Sequence, residues 1–403
     1  MRKIITNSML LLALAIGSNA YAKQTLVVWE DIDKAHGIQK AIEVFEQEND
    51  CKVEIAQMPY VQHIPTMLEN EKSGEQLPDI VMLPNDRLGD AATNGYIVPL
   101  DFMETEKDKY LTSAVNAFRY HDKVYAVPRS VETMVLYYNQ DMLKYPYENF
   151  KDYVAFSKEQ IKQGKYGVIS KWDSFYYAYG FLAANGGYIF KDLGYGKLDP
   201  NNIGLNNEGT IKGLTYVKEL VNTILPPSVL GDEGWGEVTK LFLEGKAAAL
   251  ISGPWELDGI AKSGLNYGVA PLGRLDNGKY FCPLLGYRAY AITKYSKQYD
   301  LAVKFLNTLN RTELALSRYD EIHEIPPLKE VMQMPIILND DFASTVLTQA
   351  QNAHTMPSIP QMSVVWGPID KAVSTAVTNK VSVKEALDTA VEEIKSAIAE
   401  NYR

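Results

Sequence analysis

The sequence contains few of the residues that catalytic and metal sites usually need. Its 403 residues include two cysteines and five histidines, and their spacing matches no metal or redox motif. The nucleophile motif GxSxG, the phosphate-binding motif GxxxxGK[ST] and the zinc motif HExxH are all absent. These absences argue against the corresponding hydrolases, nucleotide-binding proteins and metalloproteases, and we expect neither a cofactor nor a metal site.

Positive charge and long apolar runs are also scarce. Lysine and arginine number 40 against 50 acidic residues, which gives a net charge of −10. Nucleic acids and anionic membrane surfaces are therefore poor partners for this chain. Beyond the N-terminus no apolar run is long enough to span a bilayer. We expect a monomer that binds no nucleic acid and has no transmembrane segment.

The first 22 residues have the pattern of a secretory signal peptide. Arg2 and Lys3 provide a positive start, residues 9–16 are apolar, and residues 20–22 read Ala-Tyr-Ala, a small-residue cleavage site. Cleavage after Ala22 predicts a mature chain with a net charge of −12, located in the periplasm. No cysteine follows the cleavage site, which argues against a lipid anchor.

Strand and helix patterns alternate at the start of the mature chain. Buried strands are predicted at 26–29, 52–58 and 78–83, and helices at 37–49 and 60–71 separate them. This order implies a parallel sheet, whose ligands bind beyond the carboxyl ends of the strands. About 380 mature residues exceed what one hydrophobic core usually supports, so we expect two domains.

Two polar loops follow strands of this predicted sheet. Asp31, Asp33 and Lys34 come after the first strand, and Asn85, Asp86 and Arg87 come after the third. Such residues serve either as helix caps and solvated turns or as ligand-binding groups at the edge of the sheet.

Two aromatic segments appear farther along the chain. Residues 356–366, MPSIPQMSVVW, combine two prolines with an apolar run, so the part before the tryptophan is neither helix interior nor central strand. Residues 251–255, ISGPW, break an apolar strand at Gly-Pro and end on Trp255. Trp255 and Trp366 are therefore either core residues or part of the lining of a cleft.

Together these two segments resemble the maltose/maltodextrin-binding proteins of bacterial ABC transporters, and the resemblance continues in order from about residue 26 to the C-terminus. It implies an α/β, type II periplasmic-binding-protein fold with two hinged lobes built from discontinuous segments. The N-terminal lobe would comprise 23–131 and 288–324, and the C-terminal lobe 132–287 and 325–403. It also implies a malto-oligosaccharide ligand, the membrane permease subunits of an ABC importer as partners, and no enzymatic activity.

The resemblance further implies which residues contact the ligand. Polar groups would come largely from the first lobe: Asp33, Lys34, Asp86, Arg87 and Glu132. Aromatic rings would come largely from the second lobe: Tyr176, Tyr177, Trp235, Trp255 and Trp366. Three positions depart from the family pattern, because Leu83 replaces a tryptophan, Ser174 replaces an acidic residue and Trp235 replaces a tyrosine.

Two alternatives remain open. A protein of the same fold could bind another oligosaccharide, or a polyamine, since acidic residues accompany the aromatic rings. An exported glycoside hydrolase would also combine aromatic residues with paired carboxylates.

Turn signals and helix ends yield several local predictions. His121-Asp122 and Asn277-Gly278 indicate hairpins, the second joining strands at 267–270 and 280–285. Residues 231–236 read as a glycine-rich loop, and Asn207 is a candidate N-cap.

The end of the chain and the two cysteines complete the local predictions. The tail from Asp370 to Glu400 is predicted to form helices that pack on the second lobe, with the first helix beginning near Asp370. By the resemblance, Cys51 and Cys282 fall on different strands, so we expect free, buried thiols.

Overall fold

The computed structural model describes residues 23–194 and 196–402. The predicted signal peptide and its cleavage after Ala22 lie outside these residues. The strands are β1 Gln24–Glu30, β2 Cys51–Gln57, β3 Ile80–Pro84, β4 Arg119–Tyr120, β5 Lys123–Val124, β6 Val127–Glu132, β7 Val135–Asn139, β8 Tyr166–Ile169, β9 Phe190–Gly194, β10 Lys197–Ile203, β11 Ala247–Ser252, β12 Tyr267–Ala270, β13 Leu284–Ile292 and β14 His354–Thr355.

The helices follow the same chain order. They are α1 Gln39–Glu48, α2 His63–Ser73, α3 Leu88–Thr93, α4 Met103–Glu106, α5 Thr112–Ala117, α6 Phe150–Lys162, α7 Phe175–Ala184, α8 Glu208–Ile224, α9 Gly234–Leu243, α10 Leu257–Lys262, α11 Tyr299–Leu309, α12 Thr312–Ile322, α13 Lys329–Met332, α14 Pro335–Leu338, α15 Asp341–Ala350, α16 Trp366–Val377 and α17 Val383–Asn401. Among the described residues no helix is long and apolar enough to cross a membrane.

Two separate sheets define two lobes. The first sheet has the order β14-β13-β3-β1-β2, and β6 also pairs with β13. Within it β1 is parallel to β2 and β3, whereas β13 is antiparallel to β3 and β6. The second sheet has the order β12-β7-β11-β8. The predicted α/β class, the parallel start of the chain and the two lobes are confirmed.

The chain passes between the lobes at three places. β6 belongs to the first sheet and β7, which follows it, to the second. β13 returns the chain to the first sheet, and near Ile325 the backbone pairs with Val131 of β6 before α15 packs against β12. All of β13 lies in the first sheet, so the predicted change of lobe between 287 and 288 falls inside this strand. The lobe limits themselves stay a prediction.

The two predicted hairpins have different outcomes. His121 and Asp122 connect β4 to β5 with φ values of 45° and 64°, the left-handed conformation that a two-residue hairpin of type I′ needs. This hairpin is confirmed. At Asn277-Gly278 the chain does turn, and the Gly278 amide donates to the Leu275 carbonyl. An isolated antiparallel bridge between Arg274 and Tyr280 closes this turn, so the turn is confirmed. The predicted pairing of strands 267–270 and 280–285 is wrong, because β12 pairs with β7 and β13 starts only at Leu284.

Helix boundaries differ from the predictions in two places. α9 begins at Gly234, so Trp235 lies in its first turn rather than in a loop. α16 begins at Trp366 rather than near Asp370, and it tolerates Pro368 because amides of the first turn have no partner within the helix. The N-cap is confirmed, since the Thr210 amide donates to Asn207 Oδ1 at 2.8 Å. α16 and α17 pack on α8 of the second lobe, as expected.

Both cysteines are free thiols, as expected. Cys51 is buried at the start of β2. Cys282 is only partly buried and precedes β13, so its expected position on a strand is wrong. Pro283 follows it directly and lacks an amide to donate to a neighbouring strand.

Candidate functional site

A cavity of about 520 Å³ lies between the two lobes and collects most of the residues predicted to bind a ligand. The first lobe lines it with Asp86, Arg87 and Glu132, and the second lobe lines it with Tyr176, Tyr177, Trp235, Trp255 and Trp366. Their role as ligand contacts stays a prediction, but the fold brings these eight residues to one place.

The remaining two predicted residues do not line this cavity. Asp33 is exposed in a turn, with a φ of 57°, and Lys34 is partly buried beside it. Asp31, the first residue after β1, contacts a lining residue instead: Arg288, which lines the cavity, donates to it from Nη1 at 2.7 Å. The carboxylate closest to the strand end is therefore the one bonded to the lining of the cavity.

The loop that carries Asp86 and Arg87 is held by two other segments of the chain. It follows β3 directly, and the side chain of Asn85 donates to the Met356 carbonyl at 2.8 Å. Asn85 also accepts a hydrogen bond from the Tyr287 amide at 3.0 Å. Since Met356 opens the proline-rich segment and Tyr287 lies on β13, this buried amide fixes the loop against both of them.

Asp86 forms a hydrogen bond between the lobes. Trp366 Nε1 donates to Asp86 Oδ2 at 2.9 Å, and Arg87 Nε lies 3.6 Å from the same oxygen. Burial raises the pKa of Asp86, against the opposing effect of the Arg87 charge. The proline-rich segment therefore does line the cleft, and it delivers the Trp366 ring to the cavity.

Aromatic rings form one wall of the cavity. The Tyr177 ring lies 5.6 Å from Tyr176, 5.7 Å from Trp235 and 6.4 Å from Trp255, measured between centroids. Trp235 is 47% exposed and Trp255 is 37% exposed, which is unusual for tryptophans grouped on one surface. These rings present flat apolar faces to whatever enters the cavity.

The hydroxyl of Tyr176 is buried in this wall and has no hydrogen-bond partner among the described residues. Burial raises its pKa well above the ordinary value, so it stays a neutral donor. Buried hydroxyls are nearly always hydrogen-bonded. An unpaired one that lines a cavity therefore favours a polar ligand.

Asp370 places a carboxylate at the N-terminus of α7. Its Oδ1 accepts from the Phe175 amide at 2.7 Å and from the Ser174 hydroxyl at 3.2 Å. Asp370 follows Trp366 by one helical turn on α16, so both side chains lie on the face of the helix that lines the cavity. The acidic group that Ser174 lacks is thus supplied from another helix, and burial raises its pKa.

Glu256 is a second carboxylate on the aromatic side of the cavity. It follows Trp255 and accepts from the Thr239 hydroxyl at 3.1 Å and the Ser252 hydroxyl at 3.3 Å. Burial raises its pKa as well.

An arginine organises the polar side of the cavity. Arg288 Nε donates to Glu132 Oε2 at 2.9 Å, and its guanidinium carbon lies 5.2 Å from the centroid of the Tyr60 ring. Burial raises the pKa of Tyr60 to about 12. Charged and aromatic groups from three separate segments therefore meet at this point.

Among the polar and charged residues that line the cavity, sequence reasoning missed Tyr60, Glu256, Arg288 and Asp370. Arg288 could have been found, because it is the one charged residue in the apolar strand LLGYRAYAI. The spacing of Asp370 from Trp366 was also visible in the sequence. Tyr60 and Glu256 carry no comparable signal.

The lining chemistry suits the binding of a polar molecule. No histidine or cysteine lines the cavity, and the described part of the chain contains no cluster of three potential metal ligands. Its groups are aromatic rings, carboxylates, guanidinium groups and hydroxyls, which can stack on and hydrogen-bond a polar, neutral molecule.

The sequence and structure were then compared with known proteins. The family described as "Bacterial extracellular solute-binding protein" matches residues 40–346. The Galactooligosaccharide-binding protein of Bacillus subtilis (strain 168) is 34% identical, over 93% of this chain and 89% of its own length. The Maltodextrin-binding protein MdxE of the same organism is 31% identical, over 89% of this chain and 86% of its own length.

Solved structures give the same result. A cyclo/maltodextrin-binding protein complexed with maltotetraose has a TM-score of 0.82 and 31% identity, covering 95% of this chain and all of its own. MalX from Streptococcus pneumoniae in complex with maltopentaose has a TM-score of 0.85 and 30% identity, covering 92% of this chain and all of its own. These similarities confirm the predicted two-lobe type II fold.

Proposed function

The chain belongs to the bacterial extracellular solute-binding protein family, and on that premise we propose that it captures malto-oligosaccharides and delivers them to an ABC importer. The observation that carries this proposal is the cavity between the lobes, where an aromatic wall from one lobe faces a polar wall from the other. The partners would be the membrane permease subunits of that importer. The protein would act in the periplasm as a monomer after cleavage at Ala22, and it would bind its ligand without cleaving it.

The physical properties of sugars support this assignment. A sugar ring has apolar C–H faces, which aromatic side chains cover, and a rim of hydroxyls that polar groups must satisfy. An aromatic side chain contributes roughly 150–250 Å² of buried area. At about 25 cal/mol per Å², a few partly covered rings suffice for micromolar binding, or about −8 kcal/mol, once ordering costs are subtracted.

The two walls also supply a mechanism for transport. A ligand that contacts both lobes binds the closed arrangement more tightly than the open one, so it shifts the hinge equilibrium toward closure. The Asp86–Trp366 hydrogen bond already joins the lobes beside the cavity. The importer would recognise the closed form and so distinguish loaded from empty protein.

A second candidate is a galacto-oligosaccharide. One relative carries that name, and Leu83, Ser174 and Trp235 depart from the family pattern that the sequence otherwise follows. Both candidates use the same walls and differ in the arrangement of hydroxyls that the polar side must satisfy.

A fluorescence titration of residues 23–403 tests both candidates. Trp235, Trp255 and Trp366 line the cavity, whereas Trp29 and Trp172 are buried elsewhere, so binding should change the emission directly. Maltose, maltotriose, longer maltodextrins and galacto-oligosaccharides form the panel, with glucose and spermidine as controls. A saturable change with maltodextrins at micromolar concentration is expected.

The other outcomes are equally informative. A response to galacto-oligosaccharides alone would select the second candidate, and a response to spermidine alone would move the protein to the polyamine binders. Chromatography of the oligosaccharides after prolonged incubation should show no shortened products. Shortened products would show that the protein hydrolyses oligosaccharides, and the proposed binding function would be wrong.

A further inference from the structure

We propose that Arg288 determines specificity within the proposed function, because it fixes the groups that read the sugar hydroxyls on the polar side of the cavity. The proposal rests on oligosaccharide binding in this cavity. Glu132 was already expected to contact the ligand; the new element is that a residue on another strand sets its position.

The location of Arg288 needs an explanation. It lies in the middle of β13, where every other residue is buried. A charged group in such a strand costs several kcal/mol unless it is paired and hydrogen-bonded. The Arg288 side chain is 13% exposed, and this exposed part lines the cavity.

Arg288 holds two carboxylates with two different nitrogens. Nε donates to Glu132 Oε2 at 2.9 Å, and Nη1 donates to Asp31 Oδ2 at 2.7 Å. The guanidinium is planar and rigid, so occupying both positions fixes the two carboxylates relative to each other. One is at the end of β6 and the other directly follows β1.

Tyr60 is tied into the same arrangement. The other oxygen of Asp31, Oδ1, accepts from the Tyr60 amide at 3.1 Å. The guanidinium carbon lies 5.2 Å from the centroid of the Tyr60 ring, within the range of a cation–π contact. A single side chain on β13 therefore positions an aromatic ring and a carboxylate that both line the cavity.

Two polar atoms remain for a ligand. Among the described residues, Nη2 of Arg288 and Oε1 of Glu132 have no protein partner. The first is a donor and the second an acceptor, and a sugar hydroxyl can serve both kinds of group. A site built this way rejects an analogue that lacks the hydroxyl, because its polar atoms then stay unpaired.

Calorimetry on matched variants tests the proposal. The oligosaccharide of the panel that binds the wild type, and its monodeoxy derivatives, are titrated into the wild type, Arg288→Met, Arg288→Lys, Glu132→Gln and the double variant Arg288→Met/Glu132→Gln. Arg311→Met is the control, because Arg311 forms an exposed pair with Glu48 away from the cavity.

Arg288→Met should weaken binding roughly thirtyfold, and Arg288→Lys should restore part of that loss, because a single ammonium cannot hold both carboxylates in a fixed geometry. Arg288→Met and Glu132→Gln should lose discrimination against the same deoxy derivative. The double variant should bind about tenfold more tightly than it would if the losses of affinity in the two single variants simply multiplied. Arg311→Met should bind like the wild type.

A purely structural role gives a different pattern. If Arg288→Met weakened binding of every analogue equally, or bound within threefold of the wild type, the specificity role would be wrong. Circular dichroism identifies any variant that fails to fold. If Arg288→Met fails to fold, Arg288→Lys, which keeps the charge, tests the proposal through its affinities for the monodeoxy derivatives. If the wild type bound no oligosaccharide of the panel, the proposed function would fail first, and the role of Arg288 with it.

Discussion

Arg129 and Arg288 lie on the two paired strands β6 and β13, and each binds two carboxylates. Arg129 donates to Glu30 at 2.6 Å and to Glu324 at 2.5 Å. It also donates to the Tyr290 hydroxyl at 2.7 Å. The chemistry matches that of the Arg288 cluster, but the surroundings differ.

The Arg129 cluster is closed. Arg129 is 1% exposed and Glu30 is fully buried, and none of its members lines the cavity. It joins Glu30, at the end of β1, to Arg129 near the first connection between the lobes and to Glu324 near the third. In the Arg288 cluster, by contrast, Arg288, Glu132 and Tyr60 line the cavity. We infer that the first cluster stabilises the hinge region and that the second recognises the ligand.

Substituting Arg129 should have the largest effect on stability. Arg129→Met leaves Glu30 and Glu324 buried without their partner, which typically costs about 3–5 kcal/mol. Urea unfolding measures the loss, and the folded fraction should still bind oligosaccharide with nearly unchanged affinity. An unchanged unfolding midpoint would show that the two clusters do not differ in this way. Arg311→Met, which removes an exposed pair, is the matched control and should leave the midpoint unchanged.

Removing an aromatic ring should have the largest effect on binding alone. Trp255→Ala deletes a partly exposed ring, so we expect little loss of stability but a loss of affinity of about 2 kcal/mol, or roughly thirtyfold. Isothermal titration calorimetry measures the affinity. Tyr145→Ala provides a matched control, because Tyr145 is 69% exposed and does not line the cavity. Equal effects of the two substitutions would contradict the assignment of the aromatic wall.

Two members of the aromatic wall could be singled out from the sequence because their signals are local, whereas the other three were implied by the family resemblance. Trp255 and Trp366 each follow a proline-containing segment that interrupts regular structure, and a few neighbouring residues suffice to define it. The parallel start of the first sheet was likewise readable from alternating strand and helix patterns over fewer than one hundred residues.

The polar wall could not be predicted in the same way because its contacts are distant in sequence. Arg288 is separated from Glu132 by 156 positions and from Asp31 by 257. The choice between Asp31 and Asp33 depends on one left-handed residue in a turn. Strand pairing shows the same limit, since β12 was correctly expected as a strand but pairs with β7 rather than with its neighbour in the chain.

Replacing Asp370 should have a smaller effect, which is confined to the affinity for the ligand. Asp370→Asn keeps an oxygen that accepts from the Phe175 amide but removes the charge, and charged hydrogen bonds contribute about 1.5–3 kcal/mol. We expect affinity to fall roughly tenfold. Stability at neutral pH should not fall, because burial raises the pKa of this carboxyl and so disfavours its ionised form in the folded protein. Calorimetry and thermal unfolding test the two statements separately, and a large drop in melting temperature would contradict the second.

The smallest effect should be a dependence of binding on pH that precedes unfolding. Burial raises the pKa of Asp86, Glu256 and Asp370, so these groups take up protons above the ordinary values of about 3.9 for Asp and 4.3 for Glu. A protonated carboxyl is a weaker acceptor, and affinity should fall a few-fold as the pH falls into the range in which these carboxyls take up protons. A carboxyl whose pKa is higher in the folded state than in the unfolded state stabilises the fold as the pH falls through the folded value. These three groups therefore favour folding while binding weakens.

The contribution of one carboxylate to the pH profile can be separated from that of Arg288. In Asp370→Asn one of the three titrating groups is missing, so the affinity should depend less on pH than in the wild type. Arg288→Lys keeps all three groups, and its profile should run parallel to that of the wild type at lower affinity. If the wild-type affinity stayed constant while the pH fell to the onset of acid unfolding, the ligand would not depend on these three carboxylates, and recognition of its hydroxyls would rest on other groups such as Arg288.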